Sequence, residues 1–217
     1  MKNILILILV LACSVAYADS QCPQLYPLGH ILTVQNTTEL CNQEYVALYD
    51  ISRKANILSA EKFDASISHA PRLNEFHSDA RLKSSDRATN DDYLKSGYDK
   101  GHMAPAADMT TPSIVNESFL LSNMTPQEPT LNRLKWKMLE ENVRSTATGI
   151  TYVLTGAVYS NSPKTIGVDN IPVPSKYYKC VWYSSIKTAC YKADNVPHAD
   201  VTDATLEEAE AALNIKE

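Results

Sequence analysis

The sequence predicts an α+β fold, a mixed or antiparallel central sheet with flanking helices, and two observations carry that reading. Strand-like and helix-like runs both occur along the chain. They do not alternate as regular βαβ units, which argues against a doubly wound parallel sheet. At 217 residues the chain has the length of one domain with a substantial hydrophobic core. With 44% hydrophobic and 21% charged residues, the composition excludes a disordered tail, a collagen-like repeat and a multi-span membrane protein.

Taken in order, the first segment is an export signal. A basic start, Met1-Lys2-Asn3, precedes the apolar run Ile4 to Ala12 and the small-residue site Ala16-Tyr17-Ala18. The run is too short to span a bilayer. The expectation is a signal peptide over 1–18 and a single domain over 19–217, with no membrane insertion after cleavage. A competing lipobox, Val10-Leu11-Ala12-Cys13, would lipidate Cys13, but the A-x-A site is the better match. The start M-K-N-I-L-I-L is of bacterial type, so the destination is the periplasm or the medium. Cleavage removes one of the five cysteines and leaves four. Four cysteines in an oxidising compartment allow three pairings. Local pairing, Cys22 with Cys41 and Cys180 with Cys190, closes the shortest loops. A zinc site lacks any C-x-x-C or nearby histidine pair.

Glu44 to Ile51 has strand composition with rough alternation, and residues 69–98 read as a polar loop. Thr130 is placed to cap a helix from Leu131 to about Ser145, with Gly149 beyond its end. Ile150 to Tyr159 and Tyr177 to Tyr183 read as strands, 194–205 as turns, and Leu206 to Leu213 as a terminal helix. Tyr177, Tyr178, Trp182 and Tyr183 could stack bases, but alternation beside Cys180 assigns them to strand packing. The acidic Glu207, Glu208 and Glu210 form a solvated helix face. His30, His69, His77 and His198 have no ligand spacing.

Two segments carry chemistry. The first, S-G-Y-D-K-G-H-M-A-P-A-A-D-M, covers Ser96 to Met109; the second, S-N-M-T-P-Q-E-P-T-L-N-R-L-K-W-K-M-L-E, covers Ser122 to Glu140. Alone, a histidine after a glycine says little. Helical spacing puts Asn132, Trp136 and Glu140 on one face, which a solvated stripe would also satisfy.

Together the segments resemble the DNA/RNA non-specific endonucleases of the ββα-metal type, with their D-R-G-H, N-x-x-P-Q and N-x-x-x-W-x-x-x-E motifs. The resemblance extends over roughly residues 44–216. It implies a ββα-metal catalytic motif and hydrolysis of DNA and RNA, without sequence preference, to 5′-phosphate products. His102 takes the position of the general base. Asn132 takes that of the direct ligand to one Mg2+, with Mn2+ as a substitute, and Glu140 that of the carboxylate holding the metal through water. Arg72, in R-x-x-x-F-x-x-D with Phe76 and Asp79, would contact phosphate, and Asn123 would shape the site. The residue chemistry agrees with these roles. Neutral imidazole accepts a proton near neutral pH, and magnesium takes oxygen ligands from few protein groups.

The D-R-G-H arginine is Lys100 here, which keeps the charge for a substrate phosphate but loses the planar fork. A solvent-facing Lys100 is the alternative. The N-x-S/T sequons at Asn36, Asn116 and Asn123 are chance matches, since a glycan on Asn123 would block the site. A formal net charge of −5 runs against a nucleic-acid partner. That objection falls if Arg72, Arg81, Lys83, Arg87, Lys95, Lys100, Arg133, Lys135 and Lys137 gather around one cleft. A catalytically silent binder of nucleic acid or protein is the alternative function, but it has no chemical need for His102, Asn132 and Glu140 together. An inhibitor protein is a further conceivable partner.

Overall fold

A computed structural model describes residues 20–183 and 187–216; the expected signal peptide and Cys13 lie outside the described residues. In chain order the strands and helices are β1 Thr33–Val34, β2 Thr38–Cys41, β3 Tyr45–Asp50, β4 Ala55–Asp64, α1 Asn90–Tyr93, β5 Asp99–His102, α2 Pro112–Ser118 and β6 Met124–Gln127. A π-helical turn, Leu131–Trp136, runs into α3, Lys137–Thr146. Then come β7 Ile150–Val158, β8 Thr165–Ile166, β9 Ile171–Pro172, β10 Lys176–Tyr183, β11 Lys187–Asp194, β12 Thr202–Ala204, α4 Leu206–Leu213 and β13 Ile215–Lys216.

The expected α+β class holds. Seven strands form one sheet in the order β12-β11-β10-β7-β4-β3-β2, and every pairing in it is antiparallel. Side chains alternate between its faces. Val46, Leu48, Leu58, Ala60, Leu154, Tyr178 and Cys180 point to one face, where α4 and the N-terminal segment cover them. Gly156 lies on this face because a Cβ there would collide with Leu213 of α4. Phe63, Val153, Tyr177 and Val181 point to the other face, against Leu131, Trp136, Leu139 and Val143 of the π turn and α3. Tyr177 and Tyr178 are therefore core residues and not a stacking surface. Disulfides join Cys22 to Cys41 and Cys180 to Cys190; the second pair lies directly opposed across β10 and β11.

Three local expectations need correction. Thr130 does not cap the helix: its backbone is already helical, and its hydroxyl donates to Glu128 Oε2 at 2.6 Å. The same Glu128 oxygen accepts from the Leu131 N–H at 2.8 Å, so Glu128 does the capping. The turn-rich stretch 194–205 contains the short strand β12, paired to β11. The ten-residue β4 was not foreseen, because buried Asn56, Ser59 and Glu61 interrupt its apolar pattern.

Candidate active site

β5 and β6 form an antiparallel pair beside the main sheet, in register Asp99 to Gln127 and His102 to Met124. The π turn and α3 follow, completing a ββα unit. Gly101 is required at its position because a Cβ would enter the Gln127 side chain on the neighbouring strand. The chain after His102 is locked by Asn123. Its Oδ1 accepts from the Ala104 N–H at 3.0 Å, while its Nδ2 donates to the carbonyls of Ala104 at 2.8 Å and Ser118 at 2.9 Å. Asn123 is wholly buried and lines no part of the cleft, and it holds the chain after His102 from beneath. The same burial disposes of its glycosylation sequon in the folded protein.

The cleft over this unit has a volume of about 740 Å³, and Arg72, Lys100, His102, Asn132 and Glu140 all line it. His102 packs edge-on to Phe119, with ring centroids 4.9 Å apart, and tilts against Phe76 at 5.8 Å. Its Nε2 is buried without a hydrogen-bond partner among the described residues. Burial, and then the positive charge of Arg72, hold the imidazole down to about 3, so it is neutral across the physiological range. The Arg72 guanidinium lies 5.3 Å over the Phe119 ring, and its Nε donates to Asn74 Oδ1 at 3.0 Å. Lys100 does not turn to solvent. Its ammonium sits over Phe76 at 4.8 Å and Tyr93 at 5.7 Å, and partial burial lowers its pKa.

Asp99, which heads the D-K-G-H segment, is a site residue that sequence reasoning quoted but gave no role. Its Oδ2 accepts from Asn132 Nδ2 at 2.9 Å and from Arg133 Nε at 2.8 Å, and its Oδ1 from Arg133 Nη2 at 2.5 Å. Burial works to raise the Asp99 carboxyl, but these donors outweigh it and hold it below its ordinary value. With the Asn132 amide nitrogen committed to Asp99, Oδ1 is the atom left to act as a ligand. Glu140, two turns on, has its carboxyl pushed up to about 6 by burial, with Lys179 opposing and Asp108 adding to the rise. An amide oxygen and a carboxylate on one cleft wall form the hard oxygen set that suits magnesium or manganese.

The basic residues divide. Arg72, Lys100, Arg133, Lys137 and Arg144 line the cleft with the acidic Asp99, Glu140 and Glu141. Arg81 instead pairs with buried Asp79 at 2.6 Å and bonds the Cys41 carbonyl, while Arg87 bonds the Asp79 carbonyl at 2.7 Å. Both are structural, and Lys135 pairs with Asp200. Lys83 and Lys95 lie outside the cleft lining. Arg144, held 2.9 Å from Asp108, joins the cleft without having been foreseen; its spacing of four residues after Glu140 was the available signal.

Comparison with known proteins agrees with this geometry. The family model of the DNA/RNA non-specific endonucleases matches residues 28–214. Among curated relatives, mitochondrial endonuclease G of Bos taurus is 35% identical over 120 residues, covering 48% of this chain and 40% of the relative. A nuclease of Syncephalastrum racemosum is 36% identical over 124 residues, covering 48% and 39%. A nuclease of Nostoc sp. is 35% identical over 115 residues, covering 52% and 42%. These alignments span only about two fifths of each relative's length. Among solved structures, EndoG in the EndoG/EndoGI complex superposes with a TM-score of 0.79 at 24% identity, covering 93% of this chain and 92% of that one, which establishes the shared fold. With its ββα unit, His102, Asn132 and Glu140 facing one cleft and a match over most of its length, the chain belongs to the DNA/RNA non-specific endonuclease family.

Proposed function

We propose that this protein is an exported endonuclease that hydrolyses phosphodiester bonds of DNA and RNA, without sequence preference, in a metal-dependent reaction. The observation that carries the reading is a single cleft holding a neutral histidine opposite an asparagine and a glutamate on one helical face. His102 is the general base, taking a proton from the attacking water through Nδ1, since Nε2 is sealed. Arg72 and Lys100 hold the substrate phosphate and orient it for in-line attack. Asn132 through Oδ1, and Glu140 through water, would hold one Mg2+ or Mn2+. Such an ion supplies charge neutralisation at the phosphate and at the leaving 3′-oxygen. Asp99 fixes the Asn132 amide so that its oxygen faces the cleft.

Products carry 5′-phosphates, and RNA is cut as well because no residue of the site uses the 2′-hydroxyl. The local excess of basic side chains offsets the acidic whole, and binding weakens as salt rises. The two disulfides suit an oxidising compartment, and none of the described helices is long and apolar enough to cross a membrane. Removal of residues 1–18 and delivery of residues 19–217 as one domain to the periplasm or medium complete the proposal. An inhibitor protein covering the cleft would silence the enzyme by blocking His102. The structural neighbour was solved in an inhibited complex.

Purified protein incubated with plasmid and with RNA, in magnesium, in EDTA and as His102→Ala, provides the test. Cleavage in magnesium alone, by the wild type alone, is expected. Persistent cleavage by His102→Ala overturns the assigned base, and inactive wild-type protein across several metals overturns the nuclease reading.

A further inference from the structure

Lys179 is a lysine in the middle of the central sheet, 1% exposed, on a strand whose other buried residues are Tyr177, Tyr178, Cys180 and Val181. A buried ammonium is costly unless several partners hold it. Lys179 sits opposite Thr155 in the β10–β7 register and donates to the Thr155 hydroxyl at 2.6 Å. Its ammonium also stands 3.6 Å from Glu140 Oε1 and 5.5 Å over the Trp136 ring.

Those last two contacts straddle a junction. Trp136 ends the π-helical turn that carries Asn132, and Glu140 lies one turn into α3. A π turn is rare because it is less favourable than α-helix, so tertiary contacts have to hold it. Its wider winding changes the angular offset between Asn132 and Glu140 from that of a regular helix. Lys179 touches both sides of the junction from below, where the sheet is rigid. Beside it lies a further buried carboxylate, Glu61, whose two oxygens have no hydrogen-bond partner among the described residues.

We propose that Lys179 is a positioning residue for the metal site: by holding Trp136 and Glu140 from beneath, it sets the placement of the Glu140 carboxylate relative to Asn132 that a divalent cation requires. This rests on the metal-dependent reading above. Lys179 touches no substrate; it acts through Glu140. A purely structural role would cost stability and leave the metal affinity of the folded protein unchanged.

The test compares the full chain with Lys179→Met, Lys179→Arg, Lys179→Met/Glu61→Gln and Thr155→Val. In the double variant Glu61→Gln keeps the shape of the protonated carboxyl but cannot ionise, so loss of Lys179 leaves no carboxylate there to become an unpaired buried charge. Thr155→Val loosens Lys179 with almost no change of shape. Mn2+ binding is measured by calorimetry without nucleic acid, beside melting temperature, kcat and KM. The folded Lys179→Met or double variant is expected to bind Mn2+ about 10- to 100-fold more weakly. Its kcat should fall while KM at saturating metal stays the same. Lys179→Arg should recover part of the loss, and Thr155→Val should weaken Mn2+ binding by a few fold. Wild-type Mn2+ affinity in the folded double variant overturns the proposal. If neither lysine-to-methionine form folds, unchanged Mn2+ affinity in Thr155→Val overturns it. A wild-type protein that cleaves and binds Mn2+ while the variants match it sinks this inference alone. A wild type that binds no Mn2+ sinks the metal reading with it.

Discussion

The two faces of the central sheet are built from alternate residues of the same strands, yet they are chemically unlike. On the α4 face, Val46, Leu48, Leu58, Ala60 and Leu154 form an apolar layer sealed by the N-terminal segment, with both disulfides at this layer. On the α3 face the same strands place Ser59, Glu61, Thr155 and Lys179 among Val153, Tyr177 and Val181. Burying apolar surface stabilises, whereas burying charge costs several kcal/mol per ion before pairing offsets it. One face holds the domain together, and the other holds the helix that carries the site. Of the polar residues on this side, Asn56 and Ser59 of β4 bond to the Ser122–Asn123 segment, and Lys179 of β10 reaches Glu140.

The sharpest break between the faces is expected from His102→Ala. Loss of a general base lowers kcat by about 10²- to 10⁴-fold, with the melting temperature close to wild type. Leu58→Ala should do the converse, costing about 2–5 kcal/mol in denaturant unfolding while the folded fraction keeps its kcat. A large kcat loss in folded Leu58→Ala protein would erase the division.

Glu61→Gln probes the cost of the polar face. Burial, and then the nearby Asp108, raise the Glu61 carboxyl well above its ordinary 4.5. Its contribution to stability is thus complete below about 4.5 and is lost as pH rises toward the folded value. The glutamine variant should gain on wild type as pH climbs from there through neutrality, by about 1–3 kcal/mol. Parallel stability-against-pH curves would show that Glu61 is already satisfied.

Smaller effects map the cleft. Arg72→Ala removes the second of the two influences that depress His102, so the acid limb of kcat/KM should move to higher pH as KM rises. An unmoved limb would uncouple the two residues. Lys100→Arg should alter KM modestly and leave metal dependence intact, because the charge stays over Phe76 and Tyr93. An inactive Lys100→Arg protein would mean that the fork does not fit this cleft.

Much of the molecule was readable from local signals. The strands around Val46, Val153 and Val181 and the helix Leu206–Leu213 follow from local patterns of apolar residues, which are short-range properties of the chain. His102, Asn132 and Glu140 are singled out by the resemblance of their two segments to the endonuclease family, and all three face one cleft. β4 breaks the apolar pattern because its interior Asn56 and Ser59 answer to Ser122 and Asn123, partners far away in sequence. The π turn is also hidden, since Leu131 to Trp136 carries an ordinary helical pattern and the wider winding depends on contacts below it.

Charge makes the same point. The sequence by itself determined how many basic residues flank the motifs, which residue types could bind a metal or accept a proton, and which strands could be buried. Only the tertiary structure decided that Arg81 and Arg87 are tied to Asp79 while Arg144 enters the cleft, that Asp99 orients Asn132, and that Lys179 stands beneath Glu140. Local pattern depends on neighbours within a few residues, whereas a side chain's partner and protonation state depend on whatever the fold brings within a few ångströms.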